Sequence, residues 1–74
     1  MKDVIYRIVV DVWRLATKYD FRKMGNTEWK NFVTAGQKLI VKYRTEGAAV
    51  ERLCRDLLDA FQTFYEQIGK KGPG

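Results

Sequence analysis

The sequence predicts a small all-α protein, an antiparallel three-helix bundle. In three segments, apolar residues recur at the three-to-four-residue spacing of an amphipathic helix, and glycine-containing breaks separate these segments. The chain has 74 residues, and a chain of this size forms one domain because it buries only about 60% of its unfolded surface. We therefore predict a single helical domain over residues 1–68, with helices over about 3–20, 27–45 and 48–68, and a flexible tail over 69–74.

The first predicted helix has Asp3 as its N-cap. The run VIYRIVVDV is rich in β-branched residues, which favour strands. The helical period nevertheless persists for about four turns, and it favours a helix. The inner stripe of this helix consists of Ile5, Ile8, Val9, Val12, Ala16 and Tyr19.

The second predicted helix follows a break at Gly25 and Asn26, with Thr27 as its N-cap and Glu28 in its first turn. Gly47 is the predicted stop. Its inner stripe consists of Trp29, Phe32, Val33, Gly36, Ile40 and Tyr43, with Leu39 at the margin.

Gly36 stands in the middle of this second helix, where glycine costs about 1 kcal/mol relative to alanine. We interpret it as a point of close helix approach, opposite a bulky aromatic residue such as Trp13 or Phe61. A ligand cleft at the same position is the alternative interpretation.

The third predicted helix holds the apolar period over about five turns, and Gly69 with Pro73 ends it. Truncating a central residue such as Leu57 to alanine is expected to cost about 2–5 kcal/mol. The core of the bundle is predicted to include Ile8, Val12, Phe32, Ile40, Leu53, Leu57, Phe61 and Phe64.

Composition argues against an enzyme. The chain has no histidine, one cysteine and no glycine-rich phosphate loop, so we predict no catalytic residue, metal, cofactor or small-molecule substrate. Cys54 lies on the inner stripe and is expected to be a small buried hydrophobe. No stretch approaches the ~20 apolar residues of a membrane span, which predicts no membrane partner. A lone cysteine suits a reducing compartment, and we expect a cytoplasmic protein.

Two sets of residues are candidates for partner binding. The first set lies beside the core stripe of the first helix and consists of Tyr6, Val10, Trp13 and Thr17. The other helices fill this margin internally, or else it forms an exposed patch with an aromatic anchor that binds a second copy or a heterologous protein.

The second candidate set is basic: Arg22, Lys23, Lys30, Lys38 and Lys42. This surface is solvated, contacts nucleic acid, or meets an acidic protein. The outward residues of the second helix include no arginine that would reach bases, and the preceding turn is longer than in common DNA-binding helix pairs. A protein partner is therefore favoured over nucleic acid.

The pattern VIYRIVVDVWRLATKYDFR…W..F…GQKL…YR…LCRDLLDAFQTFYE covers most of the chain. It resembles short helical proteins carried by mobile elements and prophages of Gram-positive bacteria. The resemblance implies an accessory protein that binds and modulates a host or phage macromolecule, and counter-defence inhibitors of the anti-CRISPR kind are one such class.

Overall fold

The computed structural model describes residues 1–71 and confirms the all-α, three-helix fold. Helix α1 spans Lys2–Thr17, α2 spans Asn26–Arg44 and α3 spans Ala48–Lys71. The run VIYRIVVDV is helical throughout, so the strand alternative is wrong. Helix α3 continues through Gly69, which was predicted to end it, and residues 72–74 of the predicted tail lie outside the described part of the chain.

The helix termini differ from the predicted ones for local reasons. Met1, not Asp3, is the N-cap of α1. Asp3 lies in the first turn, where its negative charge interacts favourably with the positive end of the helix dipole. Gly25, not Thr27, is the N-cap of α2, and its N–H donates to the Glu28 carboxylate at 3.0 Å. Gly47 has a φ of 115°, a conformation that favours glycine, in the turn that joins α2 to α3.

The connection between α1 and α2 begins earlier than predicted. Helix α1 ends at Thr17 rather than at residue 20. Asp20 and Phe21 then adopt the left-handed conformation, with φ values of 57° and 53°. Each such non-glycine residue costs roughly 1–2 kcal/mol, so contacts elsewhere in the fold must maintain this turn.

Side-chain contacts give the order and direction of the helices. Tyr43 near the end of α2 bonds Asp11 in α1, while Phe32 near the start of α2 meets Tyr19, so α1 and α2 are antiparallel. Ile8 shares a cluster with Val50, and Ala16 accepts a hydrogen bond from Tyr65 further along α3. Helices α1 and α3 are therefore parallel, side by side, in a rod with dimensions of 43 × 20 × 18 Å.

The core has two parts, one at each end of the rod. The first consists of Ile8, Val12, Tyr43, Val50, Cys54 and Leu58, and the second of Tyr19, Phe32 and Tyr65. Of the predicted core, Ile40, Leu53, Leu57 and Phe61 are only half-buried. Val9 and Phe64, predicted to face inward, are each 49% exposed. Phe64 lies beside α1, because the ring of Phe21 contacts both Phe64 and Trp13, and Val9 shares the side of α1 that carries Trp13.

Gly36 is a point of close helix approach, as predicted, but its neighbour is different. A Cβ atom at this position would lie 3.4 Å from Leu58 Cδ2 of α3. Trp13 and Phe61, the predicted neighbours, are not the nearest contacts. The Leu58 side chain of α3 therefore leaves room at position 36 for a methyl group but not for a larger side chain.

Candidate functional site

An exposed apolar surface runs along the junction of α1 and α3, and we call it the aromatic face. Tyr6 is 70% exposed and Trp13 is 55% exposed, although both are large aromatic residues. The members of the aromatic face are Tyr6, Val9, Trp13, Phe21 and Phe64.

Each of the three structural elements around this junction contributes to the aromatic face. In α1, the spacing of Tyr6, Val9 and Trp13 places these residues on one side of the helix. Phe21 comes from the loop and bridges the two helices, because its ring lies 5.9 Å from that of Trp13 and 6.1 Å from that of Phe64. The three rings form one continuous cluster at tilted and edge-to-face angles, the arrangement that aromatic pairs prefer.

Tyr65 holds Phe21 in place. Its hydroxyl accepts a hydrogen bond from the Phe21 backbone N–H at 3.1 Å and donates one to the Ala16 carbonyl in the last turn of α1. Its ring also stacks on Phe21, with an interplanar angle of 8° and centroids 5.9 Å apart. Tyr65 thus stabilises the end of α1 and the left-handed turn that directs the Phe21 ring towards Trp13.

A shallow depression of about 360 Å³ adjoins the cluster. It is lined by Phe21, Ala60, Phe61 and Phe64, and none of these side chains carries a polar group. Such a depression suits an apolar side chain from another molecule, because it offers that side chain no hydrogen-bonding group.

The residues predicted for a protein interface are only partly on this face. Tyr6 and Trp13 are exposed members of it, whereas Val10 and Thr17 are half-buried. The Thr17 hydroxyl donates to the Arg14 carbonyl at 3.2 Å, so its hydrogen-bonding capacity is used within α1. Sequence reasoning missed Val9, Phe21 and Phe64. The i, i+4 spacing of Val9 and Trp13 was available as a signal, but nothing local indicated Phe21.

The five predicted basic residues are all exposed, but they do not form one surface. Arg22 and Lys23 lie in the loop before α2, and the Lys23 stem lies beside Gly69 of α3. Lys42 is near the other end of α2, roughly 24 Å away at 1.5 Å per residue, and forms an ion pair with Asp11 at 3.1 Å. Lys30 and Lys38 lie between these ends.

An open groove of about 490 Å³ lies beside Gly36, between α2 and α3. This groove is where the alternative interpretation of Gly36 would place a ligand. Two cations of its lining, Arg44 and Arg55, each lie 3.3 Å from Glu51. Glu51 engages both arginines and Asp59 also lines the groove, so the two acids balance the two cations and the groove offers an anionic ligand little unsatisfied charge.

Candidate metal ligands do not cluster in the described part of the chain. Within residues 1–71, no three His, Cys, Asp or Glu side chains come together as a metal site. Cys54 is fully buried, as predicted, and burial raises the pKa of its thiol, which disfavours the reactive thiolate. None of the three helices, over these same residues, is long and apolar enough to cross a bilayer.

No protein family, curated protein or solved structure matches this chain.

Proposed function

We propose that this chain is a non-catalytic interaction protein that binds and modulates a partner protein through its aromatic face. The observation that carries the proposal is the exposed cluster of Trp13, Phe21 and Phe64. Single exposed apolar residues are ordinary, but contiguous aromatic patches mark interaction sites, and Trp and Tyr are enriched among the residues that dominate binding energy.

The size of the aromatic face supports this proposal. A whole aromatic side chain has roughly 150–250 Å² of surface. Multiplied by the exposed fractions of its five members, such areas give the aromatic face roughly 500 Å² of exposed side-chain surface. A specific interface of standard size buries about 800 Å² on each partner. The aromatic face therefore provides the apolar centre of such an interface, and the polar residues around it provide the rim.

The charge of the chain favours a heterologous partner over a second copy. The net charge is +5, so self-association brings like charges together. Lys2 is exposed and lies one turn before Tyr6 on the same side of α1, and the exposed Arg22 directly follows Phe21 in the chain. We therefore propose a partner with an apolar groove flanked by carboxylates, which would accept the aromatic rings and attract the cations around them.

A nucleic-acid-binding role for the outward side of α2 alone has less support. Arg22 and Lys23 lie far from Lys42, which is already paired with Asp11. Of the five predicted basic residues, only Lys30 and Lys38 both lie in α2 and form no ion pair within the described chain.

We propose as the biological setting the one that the resemblance implies: an accessory protein of a phage or mobile element, with counter-defence inhibition as one class of activity. The lone buried Cys54 is compatible with a reducing, cytoplasmic location.

The test compares Trp13→Gln with the matched control Val41→Gln. Val41 is 57% exposed and lies on α2, away from the aromatic face. A photoreactive amino acid at position 13 identifies a crosslinked protein in a lysate, and that protein is then purified and titrated with each variant. Trp13→Gln is expected to weaken binding about tenfold or more, and Val41→Gln less than twofold.

Two results would contradict the proposal. Equal affinities of wild type and Trp13→Gln for the purified partner would exclude the aromatic face as the binding site. Sedimentation that shows a dimer, which Trp13→Gln dissociates, would replace the heterologous partner with a second copy of the chain.

A further inference from the structure

A second surface lies on the other flank of α1, where this helix packs against α2. Two rows without large apolar side chains border this junction. The row on α1 consists of Arg7, Asp11 and Arg14 and continues to Lys18, the C-cap of the helix, at spacings of four, three and four residues. The row on α2 consists of Asn31, Ala35, Lys38 and Lys42, at the same spacings. Residues at these spacings share one side of a helix.

Asp11 fixes the direction of both rows. Its carboxylate accepts hydrogen bonds from Lys42 Nζ at 3.1 Å and from the Tyr43 hydroxyl at 2.6 Å, so its side of α1 faces α2. Arg7 and Arg14 are one turn away from Asp11 in either direction, and both side chains are exposed. The arginines that α2 lacks on its outward side are therefore supplied by α1.

We propose that these two rows bind the sugar–phosphate backbone of a nucleic acid. The cations of this surface, which we call the α1–α2 cationic surface, are Arg7, Arg14, Lys18, Lys38 and Lys42.

The α1–α2 cationic surface carries an excess of positive charge. The two rows contain five cations and one acid, Asp11, which Lys42 and Tyr43 already engage. Elsewhere in the described chain, Arg44, Arg52 and Arg55 pair with Glu51 or Asp56. Arg7, Arg14, Lys18 and Lys38 form no ion pair within residues 1–71. Their charge remains available to an external anion.

The shape of the surface favours a long polyanion. From Arg7 to Lys18 the row on α1 is roughly 16 Å long, at 1.5 Å per residue. A nucleic-acid duplex presents one phosphate charge for about every 1.7 Å of its axis, so each cation of the row finds a phosphate within reach. Arginine adds bidentate hydrogen bonds to phosphate oxygens.

The absence of apolar anchors argues against an acidic protein at this surface. Neither row contains an aromatic or large aliphatic residue, and protein interfaces depend on such residues at their centre. The exposed aromatic residues lie on the α1–α3 side, so the two surfaces are separate and each can fail its test independently.

The experiment measures the fluorescence anisotropy of a labelled 20-base-pair DNA duplex of random sequence, and of the corresponding RNA duplex, at several salt concentrations. The variant is Arg7→Gln with Arg14→Gln. The matched control is Arg22→Gln with Arg52→Gln, which removes the same charge from two exposed arginines outside the surface. Circular dichroism confirms that both variants remain helical.

The wild type is expected to bind with a slope of log K against log salt of about −3.6, for about four phosphate contacts by Arg7, Arg14, Lys18 and Lys38. Loss of Arg7 and Arg14 should flatten the slope by about 1.8 and weaken binding about tenfold or more at physiological salt, while the control stays within threefold. Trp13→Gln should leave this binding unchanged. The DNA and RNA arms decide which nucleic acid is bound.

Three results would overturn the proposal: no binding of either duplex at 50 mM salt, equal losses in variant and control, or displacement by polyglutamate as effective as by unlabelled nucleic acid at the same charge concentration. The second would mean that net charge alone acts. The third would assign the surface to acidic protein chains.

Discussion

The Tyr43 hydroxyl donates a hydrogen bond of 2.6 Å to Asp11 Oδ2 and thereby joins the last turn of α2 to α1. Lys42 Nζ lies 3.1 Å from the same oxygen. Burial of the Tyr43 ring and its hydrogen bond to Asp11 raise the pKa of its hydroxyl to about 12. Burial raises the pKa of Asp11, but the hydrogen bonds from Tyr43 and Lys42 outweigh this effect and the net pKa is lowered.

This pair predicts a specific loss of stability at high pH. In the unfolded chain Tyr43 ionises near its ordinary pKa of 10.0, while in the folded chain it stays neutral to about pH 12. Its contribution is therefore complete below pH 10 and is lost as pH rises towards 12, by about 2–3 kcal/mol. Tyr43→Phe should cost about 1.5–3 kcal/mol at pH 7, and its difference from the wild type should close across that range. Urea unfolding at pH 7, 10 and 11.5 measures this difference. A constant difference would show that Tyr43 does not titrate as proposed.

Tyr65→Phe should destabilise the chain by about 1–3 kcal/mol, because the Ala16 carbonyl and the Phe21 N–H both lose their partner. The left-handed turn at Asp20 and Phe21 also loses the hydrogen bond that maintains it. Hydrogen exchange at the Phe21 amide should accelerate by more than global unfolding explains. Tyr6→Phe is the control, since Tyr6 is 70% exposed and should change stability by less than about 0.5 kcal/mol. Protection of Phe21 equal to that in the wild type would contradict this role of Tyr65.

Gly36→Ala is expected to be neutral or to stabilise the fold by up to about 1 kcal/mol, because alanine favours the helix and its methyl group would meet Leu58 at an ordinary contact distance of 3.4 Å. Gly36→Leu should instead cost about 1–3 kcal/mol, because a larger side chain forces α2 and α3 apart. Chemical denaturation of both variants tests the pair. A stable Gly36→Leu variant would mean that the contact with Leu58 yields easily and that close approach is not required.

The structure assigns the larger truncation cost to Leu58, not to Leu57. Leu58 is 5% exposed and Leu57 is only half-buried. Leu58→Ala should cost about 2–5 kcal/mol, and Leu57→Ala roughly 1–2 kcal/mol. Thermal and urea unfolding of the two variants provide a matched comparison, since both remove the same atoms from neighbouring positions of one helix. An equal or reversed order would contradict the packing described for α3.

The helices themselves were predictable because their signals are local. Apolar periodicity within each segment identified all three helices. Gly47 marked the end of the second helix, because glycine adopts a positive φ without steric cost and this preference depends on no distant contact. Termini were less predictable: Tyr19 continues the apolar pattern of α1, yet the helix ends at Thr17. Tyr65, which comes from a distant part of the sequence, bonds the Ala16 carbonyl at this end.

The surfaces depended on tertiary structure. In the sequence, Val9 and Phe64 fit the apolar stripes of their helices as well as the buried residues do. An apolar stripe wider than the contact between two helices leaves one margin exposed to solvent. Only the packing of α1 beside α3 shows which margin is exposed. Arg7 and Arg14 gave no sign in the sequence of sharing a surface with Lys38. Periodicity determines which residues of one helix share a side. The bonds of Asp11 to Lys42 and Tyr43, residues more than thirty positions away, decide which helix that side faces.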